Sequence, residues 1–198
     1  LRVKLHGNSK YCSLLEYKET IEGIEKISNV VKKYDLSPFE QIMFAYDLVR
    51  NRVYKEVAED EDKSNSRDIS DVLKGDNIVC VGFHEIFSNV LNQLNIINDA
   101  YYIREKASIK GHVRTKVLVD DDKYNIHGIY YFDPTWDCKK NENDKKYQNK
   151  YKFFAMNEED MTSYDEQFFE KKSINLSQAS PSSDQNQPCR RRIQNSLL

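Results

Sequence analysis

Three residues in this sequence have the types and order needed for cysteine-based acyl transfer: Cys80, then His112, then Asp133. Cys80 follows a turn-like stretch, 75–77, and begins a run with helical periodicity. A thiolate is the reactive form of cysteine, and the positive potential at a helix N-terminus favours it. The N–H groups of the same helix end can bind an oxyanion as it forms. We therefore predict that Cys80 is a nucleophile.

His112 and Asp133 supply the partners that such a nucleophile requires. His112 follows Gly111 at the start of a strand-like run, where a rigid backbone can aim an imidazole at a thiol. Asp133 lies on the next predicted strand, before Pro134. A carboxylate on a neighbouring strand can accept the second imidazole N–H and fix its tautomer. The order predicts His112 as base and Asp133 as the residue that orients it.

Taken singly, each residue has a simpler explanation. An isolated cysteine is more often a buried structural residue than a nucleophile. A lone histidine on a strand is usually a satisfied surface or core residue, and an Asp-Pro pair commonly caps a turn. On residue type alone, these simpler explanations stay open for Cys80, His112 and Asp133. The motifs around the three residues, described below, favour the catalytic interpretation.

The N-terminal part of the sequence predicts helices that support the Cys80 segment. Apolar residues recur with helical spacing from Leu14 to Tyr34. Ser37 is a predicted N-cap, with Pro38 at the first helical position and Glu40 completing a capping box. The helix that follows is predicted to end near Val57.

The middle of the chain changes from helices to strands. A polar loop at 59–67 and a short helical turn at 69–73 precede a buried helix from Cys80 to Leu94. Three runs rich in β-branched and aromatic residues, 100–103, 112–119 and 128–136, then predict strands. Residues 120–123 are turn-like and predict a hairpin. Trp136, the single Trp, falls at the end of the third run and is expected to pack in the core.

The C-terminal part predicts a further strand at 151–156 and a short helix at 158–169. From Ser173 onward the sequence is rich in Ser, Gln and Asn, so a loosely packed or disordered tail is expected. The predicted domains are an N-terminal helical extension at 1–35, a core at 36–172 and the tail at 173–198. Helices followed by a mostly antiparallel sheet indicate the α+β class.

Composition narrows the function classes. The 198 residues fit one domain with extensions, and 39% hydrophobic residues suffice for a core. A formal net charge of −2 argues against a nucleic-acid partner, and no apolar run is long enough to span a membrane. The sequence begins with Leu1, so we expect a piece of a larger protein. Cytoplasmic and secreted locations both stay open.

The motifs around the three residues resemble the transglutaminase-like superfamily, whose fold is papain-like. The nucleophile segment reads GDNIVCVGFHEIFSNVLNQLNI, the histidine segment GHVRTKVLVDD and the aspartate segment YYFDPTWD. The continuation KYKFFAMNEEDM is similar to bacterial members. The resemblance covers about 36–161.

The resemblance implies a cysteine protease, amidase or transglutaminase that acts on peptide or glutamine-type amides of a protein or peptide substrate, without a cofactor. It implies Cys80, His112 and Asp133 as the catalytic triad and Tyr54 as a residue that lines the substrate site. Hydrolysis is favoured over cross-linking. The pair Val113 and Arg114 replaces the small residue and Trp that many members carry, which keeps open a catalytically degenerate domain that serves as a protein-interaction module.

Metal binding is the weaker alternative. His84 lies one helical turn after Cys80, and that spacing suits zinc if two further ligands are present. The best further candidates, His112 and Asp133, are explained better as members of a triad. The acidic stretch 60–71 is similar to a calcium loop but lacks the Gly and the final Glu that such a loop requires. We therefore predict no metal site.

Overall fold

The computed structural model describes residues 2–4, 8, 10–55, 67–75, 78–105, 111–139 and 151–170. Most of the predicted 59–67 loop and the whole tail at 173–198 lie outside these residues. The elements in chain order are β1 (Arg2–Val3), β2 (Cys12–Ser13), α1 (Leu14–Lys32), α2 (Pro38–Arg50), α3 (Ile69–Val72), α4 (Cys80–Gln93), β3 (Asn98–Glu105), β4 (Gly111–Asp121), β5 (Ile126–Phe132), α5 (Glu158–Phe168) and β6 (Phe169–Glu170). In the described part of the chain, no helix combines the length and the apolar character needed to cross a membrane.

Helix α2 begins where the sequence predicts. The Glu40 carboxylate accepts a hydrogen bond from the backbone N–H of Ser37 at 2.9 Å, and Pro38 occupies the first helical turn. The predicted end near Val57 is wrong, because the helix stops at Arg50. Beyond it the backbone forms single parallel bridges from Val53 to Lys139 and from Tyr54 to Ile78. Pairing with distant segments replaces the helical hydrogen bonds there, and local periodicity could not reveal it.

Strands β3 to β6 form one antiparallel sheet in the order β5–β4–β3–β6. The predicted hairpin between β4 and β5 is present, and its turn places Asn125 at a φ of 52°. Ile103 of β3 pairs with His112 of β4, and Thr115 of β4 pairs with Phe132 of β5. The sheet and the helices confirm the α+β prediction.

The core lies between the sheet and helices α1, α2 and α4. Tyr46 of α2 contacts the rings of Phe87 on α4, Phe132 at the end of β5 and Phe154, with centroid distances of 5.8, 6.2 and 5.0 Å. Helix α1 contributes Ile24 and other side chains to the same core cluster. This packing fixes the end of β5, and hence the start of the Asp133 segment, against both α2 and α4.

Two predicted strand assignments are wrong. Residues 151–156 form turns and bends, with a single bridge from Met156 to Tyr131. Strand β5 ends at Phe132, so Asp133 to Trp136 are a turn rather than part of the strand. The Asp-Pro pair explains the second difference, since proline cannot donate to a strand ladder and restricts the residue before it.

Candidate functional site

Cys80 is the first residue of α4 and is partly exposed. Val79, the N-cap residue, supplies no side-chain hydrogen bond to the first turn of the helix. The first N–H groups of a helix have no acceptor within the helix, so they point out beside the thiol. The helix is buried from Gly82 to Ser88, which holds Cys80 on a rigid element.

His112 lies at the start of β4, and its Nε2 is 2.6 Å from Oδ2 of Asp133. The imidazole is buried and the carboxylate is fully enclosed. The two residues are not cross-strand partners: β5 ends one residue before Asp133, and the turn directs the carboxylate back towards His112. The sequence prediction that Asp133 faces His112 therefore agrees with the geometry, although Asp133 follows the strand rather than lying on it.

The thiol of Cys80 is the second partner of His112. Burial disfavours the imidazolium, but the Asp133 carboxylate and hydrogen bonds to Asp133 and Cys80 outweigh it and raise the pKa of His112 to about 9. Because Nε2 is occupied by Asp133, Nδ1 is the nitrogen that remains for the sulfur. The structure thus brings together the three residues that the sequence singled out.

Asp133 is held as a carboxylate. Burial alone would raise its pKa, but the charges of His112 and Arg114 and the backbone N–H of Trp136 lower it below the ordinary value. Arg114 Nε lies 3.1 Å from Oδ2, and the Trp136 N–H lies 3.1 Å from Oδ1. Both carboxylate oxygens are therefore engaged, and the side chain has one fixed orientation.

Trp136 is a site residue whose role sequence reasoning missed. Its ring stacks on His112 with centroids 5.1 Å apart and planes 23° apart, and Phe153 packs edge-on against it at 4.7 Å. The predicted place of Trp136 in the core is wrong, because the ring is partly exposed beside His112. The DPTW motif was the available signal for this role. Its Asp-Pro pair indicates a turn after Asp133, and that turn brings the Trp136 indole back against the His112 imidazole.

A second hydrogen-bond network holds the turn that carries Asp133 and Trp136. The Tyr46 hydroxyl lies 2.7 Å from Oδ2 of Asp137 and 2.9 Å from the Asp133 carbonyl. Phe153 accepts the backbone N–H of Asp133 at 2.9 Å and donates its own N–H to Asp137 at 3.0 Å. Although 151–156 is not a strand, it therefore fixes both ends of the turn.

Tyr54 lies close to the chain entering the site. It forms a parallel bridge with Ile78, two residues before Cys80, and its side chain is 37% exposed. The position is compatible with the substrate-lining role implied by the resemblance. No contact with a substrate tests that role, which remains a prediction.

His84 of α4 contacts strand β4. Its Nδ1 lies 2.8 Å from the hydroxyl of Thr115 on β4, and the ring is buried. Within the described residues, no group of three or more His, Cys, Asp or Glu side chains could hold a metal ion. Asp60 to Ser66 of the acidic stretch lie outside those residues.

Comparisons with known proteins are sparse. No family model matches the sequence, and no curated protein matches it. Among solved structures, the chain is similar to a crystal structure of a TGase, with 17% identity and a TM-score of 0.48. The similarity covers 63% of this chain and 34% of the other, so this chain spans about a third of its neighbour's length. A similarity this weak carries no argument, and the functional proposal rests on side-chain geometry.

The arrangement has the parts for nucleophilic catalysis. It contains a partly exposed thiol at a helix start, an imidazole hydrogen-bonded to that thiol and an ionised carboxylate hydrogen-bonded to the imidazole. The other described cysteines differ. Cys12 and Cys138 are buried, and burial raises the pKa of Cys138 to about 11. Of the described thiols, Cys80 alone is both partly exposed to solvent and hydrogen-bonded to an imidazole.

Proposed function

We propose that this protein is a cysteine-dependent hydrolase or acyl transferase with a transglutaminase-like, papain-like core at 36–172. Its substrates are peptide or glutamine-type amides. The observation that carries the proposal is the continuous contact from the Cys80 thiol through His112 to Asp133. This is the nucleophile, base and orienting group that covalent amide chemistry requires.

The first half of the reaction forms a thioester. With a pKa of about 9, His112 is an imidazolium at neutral pH and can stabilise negative charge that develops on the Cys80 sulfur. The sulfur attacks the amide carbon, and the backbone N–H of Cys80 donates to the oxyanion. His112 Nδ1–H then protonates the leaving nitrogen, the C–N bond breaks, and an amine departs.

The second half regenerates the thiolate. Neutral His112 takes a proton from the attacking water or amine as that molecule adds to the thioester carbon. The C–S bond then breaks, the thiolate returns, and the product is a carboxylic acid or a new amide. Asp133 keeps its negative charge throughout and stabilises each imidazolium that forms. We favour water as the acceptor, so that the enzyme is a protease or amidase.

A catalytically degenerate, protein-binding domain is the second candidate, motivated by Val113 and Arg114 at positions where many family members carry other residues. A domain that only binds has no need of a thiol, an imidazole and a carboxylate in contact. The partial exposure of Cys80 and its hydrogen bond to His112 support the enzyme instead.

The test is mass spectrometry of a glutamine-containing peptide library incubated with the protein and a primary amine. Side-chain hydrolysis converts Gln to Glu, peptide hydrolysis divides the peptide, and transfer adds the amine. We expect one of these products from the native protein and from Cys12→Ala, and none from Cys80→Ala. Equal product from Cys80→Ala and the native protein would falsify the proposal.

A further inference from the structure

Arg114 lies two residues after His112 on β4, so both side chains project from the same face of the strand. Its side chain is completely buried. Its Nε donates to Oδ2 of Asp133 at 3.1 Å, the same oxygen that lies 2.6 Å from His112 Nε2. One carboxylate oxygen therefore serves both the base and a buried guanidinium.

Arg114 also lies close to the other neighbour of the imidazole. Its guanidinium carbon is 5.0 Å from the centroid of the Trp136 ring, on which His112 stacks. Arg114 therefore contacts the two groups that fix the imidazole, the carboxylate and the indole.

Fold stability alone gives little reason for this cation. A buried ion pair is usually no more stabilising than apolar side chains of the same volume, because removing the charges from water costs several kcal/mol. A guanidinium is charged at every physiological pH and cannot serve as an acid or base itself. Its effect on the reaction must therefore act through its neighbours, of which Asp133 is the charged one that holds His112.

We propose that Arg114 is a positioning residue that shares the charge of Asp133 and thereby loosens the hold of His112 on its proton. The inference rests on the proposed function, in which His112 must release a proton to the leaving nitrogen. With Asp133 devoted to His112 alone, the imidazolium would be more stable and a poorer acid. The Arg114 cation opposes that stabilisation while keeping the carboxylate in place.

The test uses Trp136, the only Trp in the chain, as a reporter of His112. An imidazolium stacked on indole quenches its fluorescence more strongly than neutral imidazole does, because it accepts an electron more readily. A pH titration of the Trp136 emission therefore gives the pH at which His112 is half protonated, its midpoint, without a substrate. The variants are Arg114→Gln and Arg114→Met, which remove the charge, and Arg114→Lys, which keeps it. His112→Gln shows which transition belongs to the imidazole.

We expect both neutral variants to raise the His112 midpoint by about one pH unit, since a charge a few ångströms away shifts a pKa by about that amount or more. Arg114→Lys should stay within about 0.3 unit of the native midpoint. Unchanged midpoints in the neutral variants would overturn the proposal. So would unfolding of both neutral variants while Arg114→Lys stays native, because Arg114 would then act through the fold alone.

This result is separate from the test of the proposed function. If Cys80 proves inert towards amides, the fluorescence titration still measures whether Arg114 controls His112. If Cys80 is active and the midpoint does not depend on Arg114, the triad stands and only the role of Arg114 fails.

Discussion

The imidazole of His112 stacks on the indole of Trp136, with ring centroids 5.1 Å apart and planes inclined by 23°. The stack covers one face of the imidazole, while the ring nitrogens form hydrogen bonds with Asp133 and Cys80. His112 is therefore fixed in position and in tilt by three different neighbours, which is the rigidity that proton transfer to a bound substrate needs.

The first prediction concerns the charge of His112. Trp136 emission should titrate with a midpoint of about 9, because Asp133 and Cys80 outweigh the burial that disfavours the imidazolium. In Asp133→Asn the carboxylate is gone and the Arg114 cation remains, so the midpoint should fall below the ordinary value of 6.5. Fluorescence titration of both proteins measures this, with His127→Gln, which alters an exposed histidine, as a control. A midpoint that Asp133→Asn leaves unchanged would mean that the carboxylate does not control the imidazole.

The second prediction concerns the turn that carries Asp133. Tyr46→Phe removes the hydroxyl that contacts the Asp133 carbonyl and the Asp137 carboxylate, leaving buried acceptors short of a donor. We expect a loss of about 1 to 3 kcal/mol in the free energy of unfolding, measured by urea denaturation. Tyr151→Phe removes a hydroxyl that donates an exposed hydrogen bond to the Asp47 carboxylate. This change should lower the free energy of unfolding by less than about 0.5 kcal/mol. Equal losses from the two variants would show that the buried network does not stabilise the turn.

The third prediction concerns Glu85 on α4. Burial, with a smaller effect from Asp68, raises its pKa to about 7, and among the described residues its Oε2 has no hydrogen-bond partner. The folded state therefore binds a proton that the unfolded chain has released, so this carboxyl weakens the fold as the pH rises from about 4.5 to about 7.

Glu85→Gln should remove this pH-dependent loss of folding stability, because glutamine has no proton to release. At pH 8 we expect the variant to be more stable than the native protein by roughly 2 to 3 kcal/mol, and at pH 4 the two should be nearly equal. Urea unfolding at both pH values measures the difference, with Glu158→Gln on the exposed start of α5 as the matched control. A difference that is the same at both pH values would contradict the burial of an ionisable Glu85.

Much of the fold follows from local sequence signals. The capping box at Ser37 and Glu40 places the start of α2, and the apolar spacing after Cys80 marks α4. The end of α2 and the irregular path of 151–156 depend on pairing between segments far apart in the chain. Local periodicity contains no information about such pairing, so those two predictions are wrong. The strand assignment of Asp133 to Trp136 is wrong for a local reason, the proline that follows Asp133.

The candidate site likewise contains some residues that the sequence predicts and others that only the fold brings there. Cys80, His112 and Asp133 could be chosen from residue type, order and motif, and the structure places them in contact. Trp136 and Arg114 join the site only because the Asp133 turn returns towards β4. That return depends on hydrogen bonds from Phe153 and Tyr46, which no short stretch of sequence reveals.

The central claim is that His112 activates the Cys80 thiol, and the most direct measurement is the rate of iodoacetamide alkylation of each cysteine at pH 6, mapped by mass spectrometry. An ordinary thiol is almost fully protonated at that pH, so only a thiolate paired with an imidazolium reacts quickly. We predict that Cys80 reacts at least about tenfold faster than Cys12 and Cys138, and that His112→Gln removes this advantage. If Cys80 reacts no faster than the two buried cysteines, or keeps its rate without His112, the account is contradicted.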